Sequence, residues 1–259
     1  PSSCRKVFRA FVKELDGRKT LDGVRLSGCE NGDIRWFNKS YSRAVLGDPL
    51  VRTRLGALDI HSYCLHMPIP FFNNHMSFLK RFAKWMSKNY PDVPVNMSEW
   101  THMQGGRDKG MDSALVTANV MYEDLSVLNV ISWQHWIAVS EVNYCDGLIY
   151  INLDDKTFEM TKRYYVTGNF SKYVPAGSVR VDVSCDDPEL RLLAFKYDGG
   201  CAVIVINSTK KEKELSLPEQ YSAVKSAVTD DNNNLCEYDI AAPEHIKITP
   251  RSVTTIILR

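Results

Sequence analysis

The chain has 259 residues, with 32 Lys and Arg against 31 Asp and Glu, and 44% of its residues are hydrophobic. This is enough apolar material for one large domain or two ordinary ones. The net charge of +1 excludes a polycation that binds nucleic acid through bulk electrostatics. No apolar run approaches the ~20 residues that a membrane span needs. We therefore expect neither a nucleic acid nor a membrane as partner.

The first two thirds of the chain alternate apolar runs with helical periodicity. The runs that predict strands are, in chain order, 24–28, 56–61, 93–98 and a run that begins at Val130. Helical patterns cover 40–55, 74–89 and 114–128. Strands that alternate with helices indicate βαβ units and a parallel sheet.

The last third has a different pattern, with short β-rich runs and no helical period. These runs are 179–185, 190–197, 201–208, 213–217, 223–229, 235–240, 245–248 and 253–258. Eight short strands at this spacing predict an antiparallel β-sandwich. We place the domain boundary so that residues 1–174 form an α/β domain and residues 175–259 form the sandwich.

The length of the first domain limits its architecture. A (β/α)₈ barrel needs ~250 residues by itself, and the first domain ends at residue 174. If it is a barrel, about half of it is absent, and the missing N-terminal half is an expected partner. Because Pro1 is neither an initiator Met nor the start of a signal segment, we expect a processed or partial chain.

Polar and aromatic side chains follow all four strands of the first domain. They occupy residues 28–31, 61–63, 98–102 and 132–136. In a barrel, the C-terminal ends of the strands converge on the active site. Indole rings can pack on the apolar faces of a pyranose, and His and Gln can bond its hydroxyls. The pattern therefore indicates a sugar site.

Glu99 is the central candidate, because it ends an apolar strand and precedes Trp100. A carboxylate in an aromatic-walled cleft can be the nucleophile of a retaining glycosidase. The alternative is a Glu that pairs with an Arg or caps the next helix.

Three segments resemble glycoside hydrolase family 30: VNMSEW at 95–100, ISWQHW at 131–136, and the stretch 162–180. The resemblance implies the C-terminal half of a (β/α)₈ barrel (strands 5–8), followed by a β-sandwich. It also implies retaining cleavage of β-linked glycans with Glu99 as nucleophile and no metal or organic cofactor. The family's general acid is a Glu after an Asn on the fourth barrel strand, and this chain has no Asn-Glu pair. Glu30 lies on the wrong strand for that acid, so we expect a loop or supporting role for it.

Six further residues are candidates for substrate binding. His61 and Tyr63 would bond the nucleophile or the sugar, or else pack at the top of the barrel. Trp133 is the expected floor of the sugar subsite, and Trp100 is its wall or a core residue. The full set is His61, Tyr63, Trp100, Trp133, Gln134 and Trp136. An aromatic loop at 67–72 would select substrate or cover the barrel.

The resemblance thus implies an extracellular O-glycosyl hydrolase that acts on an oligo- or polysaccharide. Residues 133–150 are similar to branches that include endo-β-1,6-galactanases, and xylan, β-glucan and fucosidic substrates stay open. The acid would be supplied from outside the chain. The alternative is a non-catalytic carbohydrate-binding protein or an inactive fragment of a glycosidase. An Asn-Glu pair ending a preceding strand would favour the enzyme.

Overall fold

The computed structural model describes residues 1–34, 38–64, 75–217 and 221–259. The chain divides into two compact units. The first comprises residues 1–100 and 123–136, and the second comprises residues 101–122 and 137–259. The expected aromatic loop at 67–72 lies outside the described residues.

The first unit is built on a parallel sheet with the strand order β1-β2-β3-β4. Its strands are β1 (Leu26–Asp33), β2 (Leu55–Tyr63), β3 (Val95–Trp100) and β4 (Ser132–His135). Its helices are α1 (Ser2–Asp16), α2 (Asn38–Leu46), α3 (Pro49–Arg52) and α4 (His75–Asn89). The helix α5 (Met111–Glu123) ends in this unit and continues into a π-helical turn, Asp124–Leu128. The predicted parallel sheet is confirmed.

The apolar spacing of α4 explains how this helix packs. Phe78, Leu79, Phe82 and Met86 recur three and four residues apart, so they share one face of the helix. All four are buried. Burial of each such side chain contributes roughly 1.5–3 kcal/mol, which is the main reason that the helix forms.

Asp48 fixes the short helix α3 and ties it to α1. Its Oδ1 accepts the backbone N–H groups of Leu50 at 3.0 Å and Val51 at 3.3 Å, as an N-cap residue does. The Arg9 guanidinium of α1 donates to both carboxylate oxygens, at 3.0 and 2.9 Å. The hydrogen bond from Arg9 holds the pKa of Asp48 below its usual value.

The second unit contains an antiparallel sheet of six strands, in the order β13-β12-β15-β10-β9-β8. Its strands are β8 (Val179–Val181), β9 (Leu190–Tyr197), β10 (Gly200–Asn207), β12 (Ala223–Thr229), β13 (Cys236–Asp239) and β15 (Ser252–Leu258). A two-stranded sheet joins β11 (Lys213–Leu215) to β14 (Ile246–Ile248). Each of the eight predicted β-rich runs thus contains a strand.

Elements before residue 175 also belong to this unit. They include a small sheet of β5 (Val139–Ser140), β6 (Ile149–Asn152) and β7 (Thr157–Met160), and the helix α6 (Lys162–Ser171). Asn169 of α6 donates to the Ala227 carbonyl at 2.9 Å, and its own carbonyl accepts from Thr255 at 2.7 Å. The predicted boundary between residues 174 and 175 therefore falls inside the second unit, because α6 packs on the antiparallel sheet.

A fully buried arginine, Arg163 of α6, holds part of the second unit together. Its guanidinium donates to the carbonyls of Asp108 at 2.5 Å and Gly147 at 2.7 Å, and to the Tyr150 hydroxyl at 3.0 Å. The Cys145 sulfur lies 3.0 Å from the same group. A buried charge is tolerated only where such partners replace water.

The seven cysteines, all within the described residues, form no disulfide bond. Among the residues that the structure describes, no helix has the length and apolar character needed to cross a bilayer.

Candidate active site

Glu99 lies near the C-terminal end of β3, and its side chain is 29% exposed. The Tyr63 hydroxyl donates to its Oε1 at 3.3 Å, and the Nδ1 of His61 lies 3.6 Å from the same oxygen. Both partners come from the end of β2. The structure thus brings together three of the residues that the sequence places at one site.

The register of β2 and β3 explains why these side chains meet. The strands pair in step as far as Ile60 opposite Met97, and then slip so that His61 lies beside Glu99. Successive side chains of a strand point to opposite faces. A slip of one residue therefore turns Glu99 toward the face that His61 and Tyr63 occupy.

Glu30 joins this group from β1. The pairing of β1 with β2 is irregular between Cys29 and Asn31, and Glu30 has φ 54°, in the left-handed region. Its Oε2 accepts the Ser98 hydroxyl at 2.6 Å and lies 2.9 Å from the Nε2 of His61. Sequence reasoning assigns this residue only a loop or supporting role, and no residue pattern signals the bulge that brings it here.

A row of polar side chains crosses the sheet below this group. The amide of Asn96 on β3 donates to Asp59 of β2 at 2.7 Å, and Ser132 of β4 donates to the Asn96 carbonyl oxygen at 2.9 Å. Burial raises the pKa of Asp59, and the nearby charge of Glu30 acts in the same direction. Sequence reasoning missed this row. The available signal was a polar residue in each of three successive predicted strands, and these residues lie at paired positions in the sheet.

The other face of the sheet carries a second polar cluster around Asp124. The fully buried Asp124 accepts the Ser62 hydroxyl at 2.5 Å and the Trp133 indole N–H at 2.9 Å. The Nε2 of His75 lies 2.8 Å from Ser62 Oγ, and its Nδ1 lies 2.6 Å from the Glu123 carboxylate. We call these five residues the Asp124 network. It links β2, α4 and β4.

Titration of the Asp124 network is strongly perturbed. Burial raises the pKa of Asp124 to about 6, against the opposing effect of the His75 charge and of two hydrogen bonds. Burial by itself lowers the pKa of His75. The hydrogen bond with Glu123 and the charges of both carboxylates outweigh this effect, so the pKa of His75 is raised. The network therefore favours a protonated imidazole beside its acids.

Two of the predicted sugar-binding tryptophans are turned to this second face. Trp133 and Ser62 both donate to Asp124. Ser62 points to the face of the sheet opposite to its β2 neighbours His61 and Tyr63, which contact Glu99. Trp100 is buried, and its ring centroid is 6.0 Å from that of Trp133. Strand alternation directs Trp133 away from Glu99, and Trp100 packs against it as the core residue that the sequence left as an alternative. Their roles as floor and wall of a sugar subsite stay predictions.

Gln134 and Trp136 are placed differently. Gln134 is exposed and alternates with Trp133 along β4, so it faces the side of Glu99. Trp136 follows β4 directly, and its side chain is 51% exposed. Its backbone N–H donates to the Trp100 carbonyl at 2.9 Å, which anchors the segment. These two residues remain candidates for contacting a sugar.

The chemistry available here is that of carboxylates and their hydrogen-bond donors. Glu99 and Glu30 flank the His61 ring on one face of the sheet. Within the described ranges, no three His, Cys, Asp or Glu side chains are arranged to hold a metal ion.

Comparison with known proteins finds a family model that matches this part of the chain. Residues 36–150 match the family model of O-glycosyl hydrolase family 30. This region belongs to that family. The matched family 30 region contains β2, β3 and β4, and therefore His61, Tyr63 and Glu99. The resemblance found in the sequence is confirmed, and the chain is related to O-glycosyl hydrolases.

Individual relatives are distant and longer than this chain. Mouse (Mus musculus) lysosomal acid glucosylceramidase is 23% identical over 207 residues, which cover 72% of this chain and 37% of that protein. A conserved exported protein from Bacteroides fragilis has a TM-score of 0.81 at 18% identity, over 98% of this chain and 60% of that one. A family 30 endoxylanase from Clostridium papyrosolvens has a TM-score of 0.71 at 17% identity, with the same coverage. At these identities the structural similarity shows a shared fold.

Proposed function

We propose that the chain supplies the nucleophile side of a retaining β-glycosidase site, with Glu99 as the nucleophile. In this mechanism a carboxylate attacks the anomeric carbon, expels the leaving group and forms a glycosyl-enzyme that water then hydrolyses. The observation that carries the proposal is the way Glu99 is held. Both Tyr63 and His61 contact Oε1, which leaves Oε2 to attack.

The two partners of Glu99 have complementary roles in this proposal. The Tyr63 hydroxyl donates to the carboxylate and fixes its rotamer. The Nδ1 of His61 lies 3.6 Å from the same oxygen, and the His61 side chain is only 15% exposed. An oriented and partly desolvated carboxylate needs little rearrangement before attack, which is how positioning contributes to rate.

The sugar would be bound by residues at the end of β4. The exposed indole of Trp136 offers an apolar face to a pyranose ring, and Gln134 offers an amide to its hydroxyls. Gln134 lies in β4 and Trp136 directly after it, and β4 is the neighbour in the sheet of the strand that carries Glu99.

The proposal treats the first unit as the C-terminal half of a (β/α)₈ barrel, strands 5 to 8, and the antiparallel sheets as its β-sandwich. The four parallel strands in sequential order support this assignment. The chain spans 60% of the structures that it resembles. With no Asn-Glu pair in its 259 residues, the general acid is assigned to a residue outside them, and no cofactor is required.

The proposed substrate is a β-linked oligo- or polysaccharide, with β-1,6-galactan as one candidate, and the proposed location is extracellular. The family of residues 36–150 supports the glycan class. The similarity to an exported bacterial protein is consistent with the location.

An activated substrate tests the proposal without the missing acid. 2,4-Dinitrophenyl β-glycosides of galactose, glucose, fucose and xylose have leaving groups that depart without protonation. We expect one of them to release a burst of dinitrophenolate close to one equivalent per chain, followed by slow turnover. The variant Glu99→Gln should abolish the burst, whereas Glu159→Gln, at an exposed glutamate, should retain it.

The absence of a burst on folded protein would contradict the proposal. Saturable binding of a glycan by the same protein would then favour the carbohydrate-binding alternative. The lack of an Asn-Glu pair in the chain is the observation that keeps that alternative open.

A further inference from the structure

We propose that Glu30 is a positioning residue, which sets the His61 ring against Glu99. The inference deepens the proposed function, because it rests on Glu99 as the nucleophile. Glu30 is neither the nucleophile nor the general acid of the two-carboxylate mechanism. Its carboxylate contacts His61 and Ser98 rather than Glu99.

The first argument is that His61 bridges two carboxylates. Its Nε2 lies 2.9 Å from Glu30 Oε2, and its Nδ1 lies 3.6 Å from Glu99 Oε1. The shorter contact determines the plane of the ring, because hydrogen bonds weaken rapidly with distance and misalignment. The Nε2–H donates to Glu30, and the Nδ1 faces Glu99 Oε1 at a distance longer than a hydrogen bond. Loss of Glu30 would free the ring to turn away from Glu99.

The second argument is the reach of the Glu30 side chain. Glu30 lies on β1 and Ser98 lies on β3, with β2 between them. Strands are spaced about 4.8 Å apart, so two spacings separate β1 from β3. The Glu30 carboxylate nevertheless accepts the Ser98 hydroxyl at 2.6 Å. It therefore crosses over β2, and the same oxygen meets His61 on the way.

The third argument is the backbone of Glu30. A φ of 54° places this residue in the left-handed region, which is costly for a side chain with a Cβ. Such strain persists where surrounding contacts hold it. The bulge directs the side chain over β2, and the bonds to His61 and Ser98 are the contacts that the strained conformation makes possible.

The kinetic test uses the full chain and the 2,4-dinitrophenyl 2-deoxy-2-fluoro-β-glycosides of galactose, glucose, fucose and xylose. The inactivation rate at saturation reports the reactivity of Glu99, and the half-saturating concentration reports sugar binding. Glu30→Ala should lower the saturating rate about 10-fold or more and leave the half-saturating concentration unchanged. Glu30→Asn is too short to reach His61 but adopts the left-handed conformation readily, so it should lower the rate in the same way. Glu30→Gln should keep most of the rate, because its amide oxygen still accepts from His61. Glu159→Gln is the control.

An unchanged saturating rate in both Glu30→Ala and Glu30→Asn would overturn the inference. A change only in the half-saturating concentration would also overturn it, since Glu30 would then contact the sugar. If no probe labels the wild-type chain, the proposed function fails and the positioning role fails with it.

A measurement without any sugar separates these failures. The His61 Nε2–H proton should give a protected downfield NMR signal, assigned by its loss in His61→Asn. Glu30→Ala should remove this signal, and Glu30→Gln should keep it, because the amide oxygen still accepts. A signal that persists in Glu30→Ala would refute the contact itself, whatever the outcome with the probes.

Discussion

Replacement of Asp124 by Asn should change the pH dependence of stability in a defined direction. Asp124 is fully buried, and its pKa in the folded protein is raised to about 6. An unfolded Asp has a pKa of about 3.9. Between these values the folded state binds more protons than the unfolded state, so the free energy of unfolding falls as pH rises.

The magnitude follows from the size of the shift. About two pKa units at 1.36 kcal/mol each amount to about 3 kcal/mol lost by the wild type between pH 4 and pH 6. The variant Asp124→Asn has no titratable proton at this position, so its free energy of unfolding does not fall for this reason between pH 4 and pH 6. The raised pKa of His75 has its effect at higher pH, because its contribution is lost only as pH rises through a value above 6.5.

Urea unfolding followed by tryptophan fluorescence measures the difference, since Trp133 donates to Asp124 directly. The free energy of unfolding of Asp124→Asn relative to wild type should rise by about 3 kcal/mol from pH 4 to pH 6. Asp154→Asn, at an exposed aspartate, is the control and should follow the wild type. Parallel pH profiles for Asp124→Asn and wild type would refute the reasoning.

Three further predictions concern other parts of the chain. Arg163→Met should destabilise the protein by about 3 kcal/mol or more, because buried carbonyls and a tyrosine hydroxyl lose their donor; a loss below 1 kcal/mol in urea unfolding would contradict this. Asp48→Ala should cost about 1–2 kcal/mol at pH 7 through the lost N-cap. Because Arg9 lowers the pKa of Asp48 in the folded protein, the cost of Asp48→Ala should shrink as pH falls through that pKa. A difference in the free energy of unfolding that does not change with pH would contradict this prediction. Trp136→Ala should raise the half-saturating concentration of the fluoroglycoside up to about 10-fold without changing the saturating rate, and equal binding would remove Trp136 from the subsite.

Much of the fold follows from local sequence patterns. The run 190–197, the turn at Asp198-Gly199 and the next run become the hairpin of β9 and β10, because alternation and a glycine with φ 84° are local properties. The apolar stripe of α4 could also be predicted, because helical spacing is visible within a single segment of the sequence. The sequence also predicts that Glu99, His61 and Tyr63 lie close together, because the C-terminal ends of parallel strands share one edge of the sheet.

The remainder depends on pairing between distant strands. The slip beside His61 and the bulge at Glu30 arise from the register of β2 with its two neighbours, which no single segment encodes. The orientation of Trp133 depends on Asp124, a buried carboxylate outside β4 that accepts the indole N–H. The pattern of β4 itself does not show this partner.

The most direct test of the central claim is to map the residue that a 2-deoxy-2-fluoro glycoside labels. After incubation of the full chain with the four-sugar panel, intact mass and then peptide mass spectrometry would locate the adduct. The account predicts a single sugar on the peptide that contains Glu99, and none in Glu99→Gln. A sugar attached to any other carboxylate, or retained in Glu99→Gln, would contradict it.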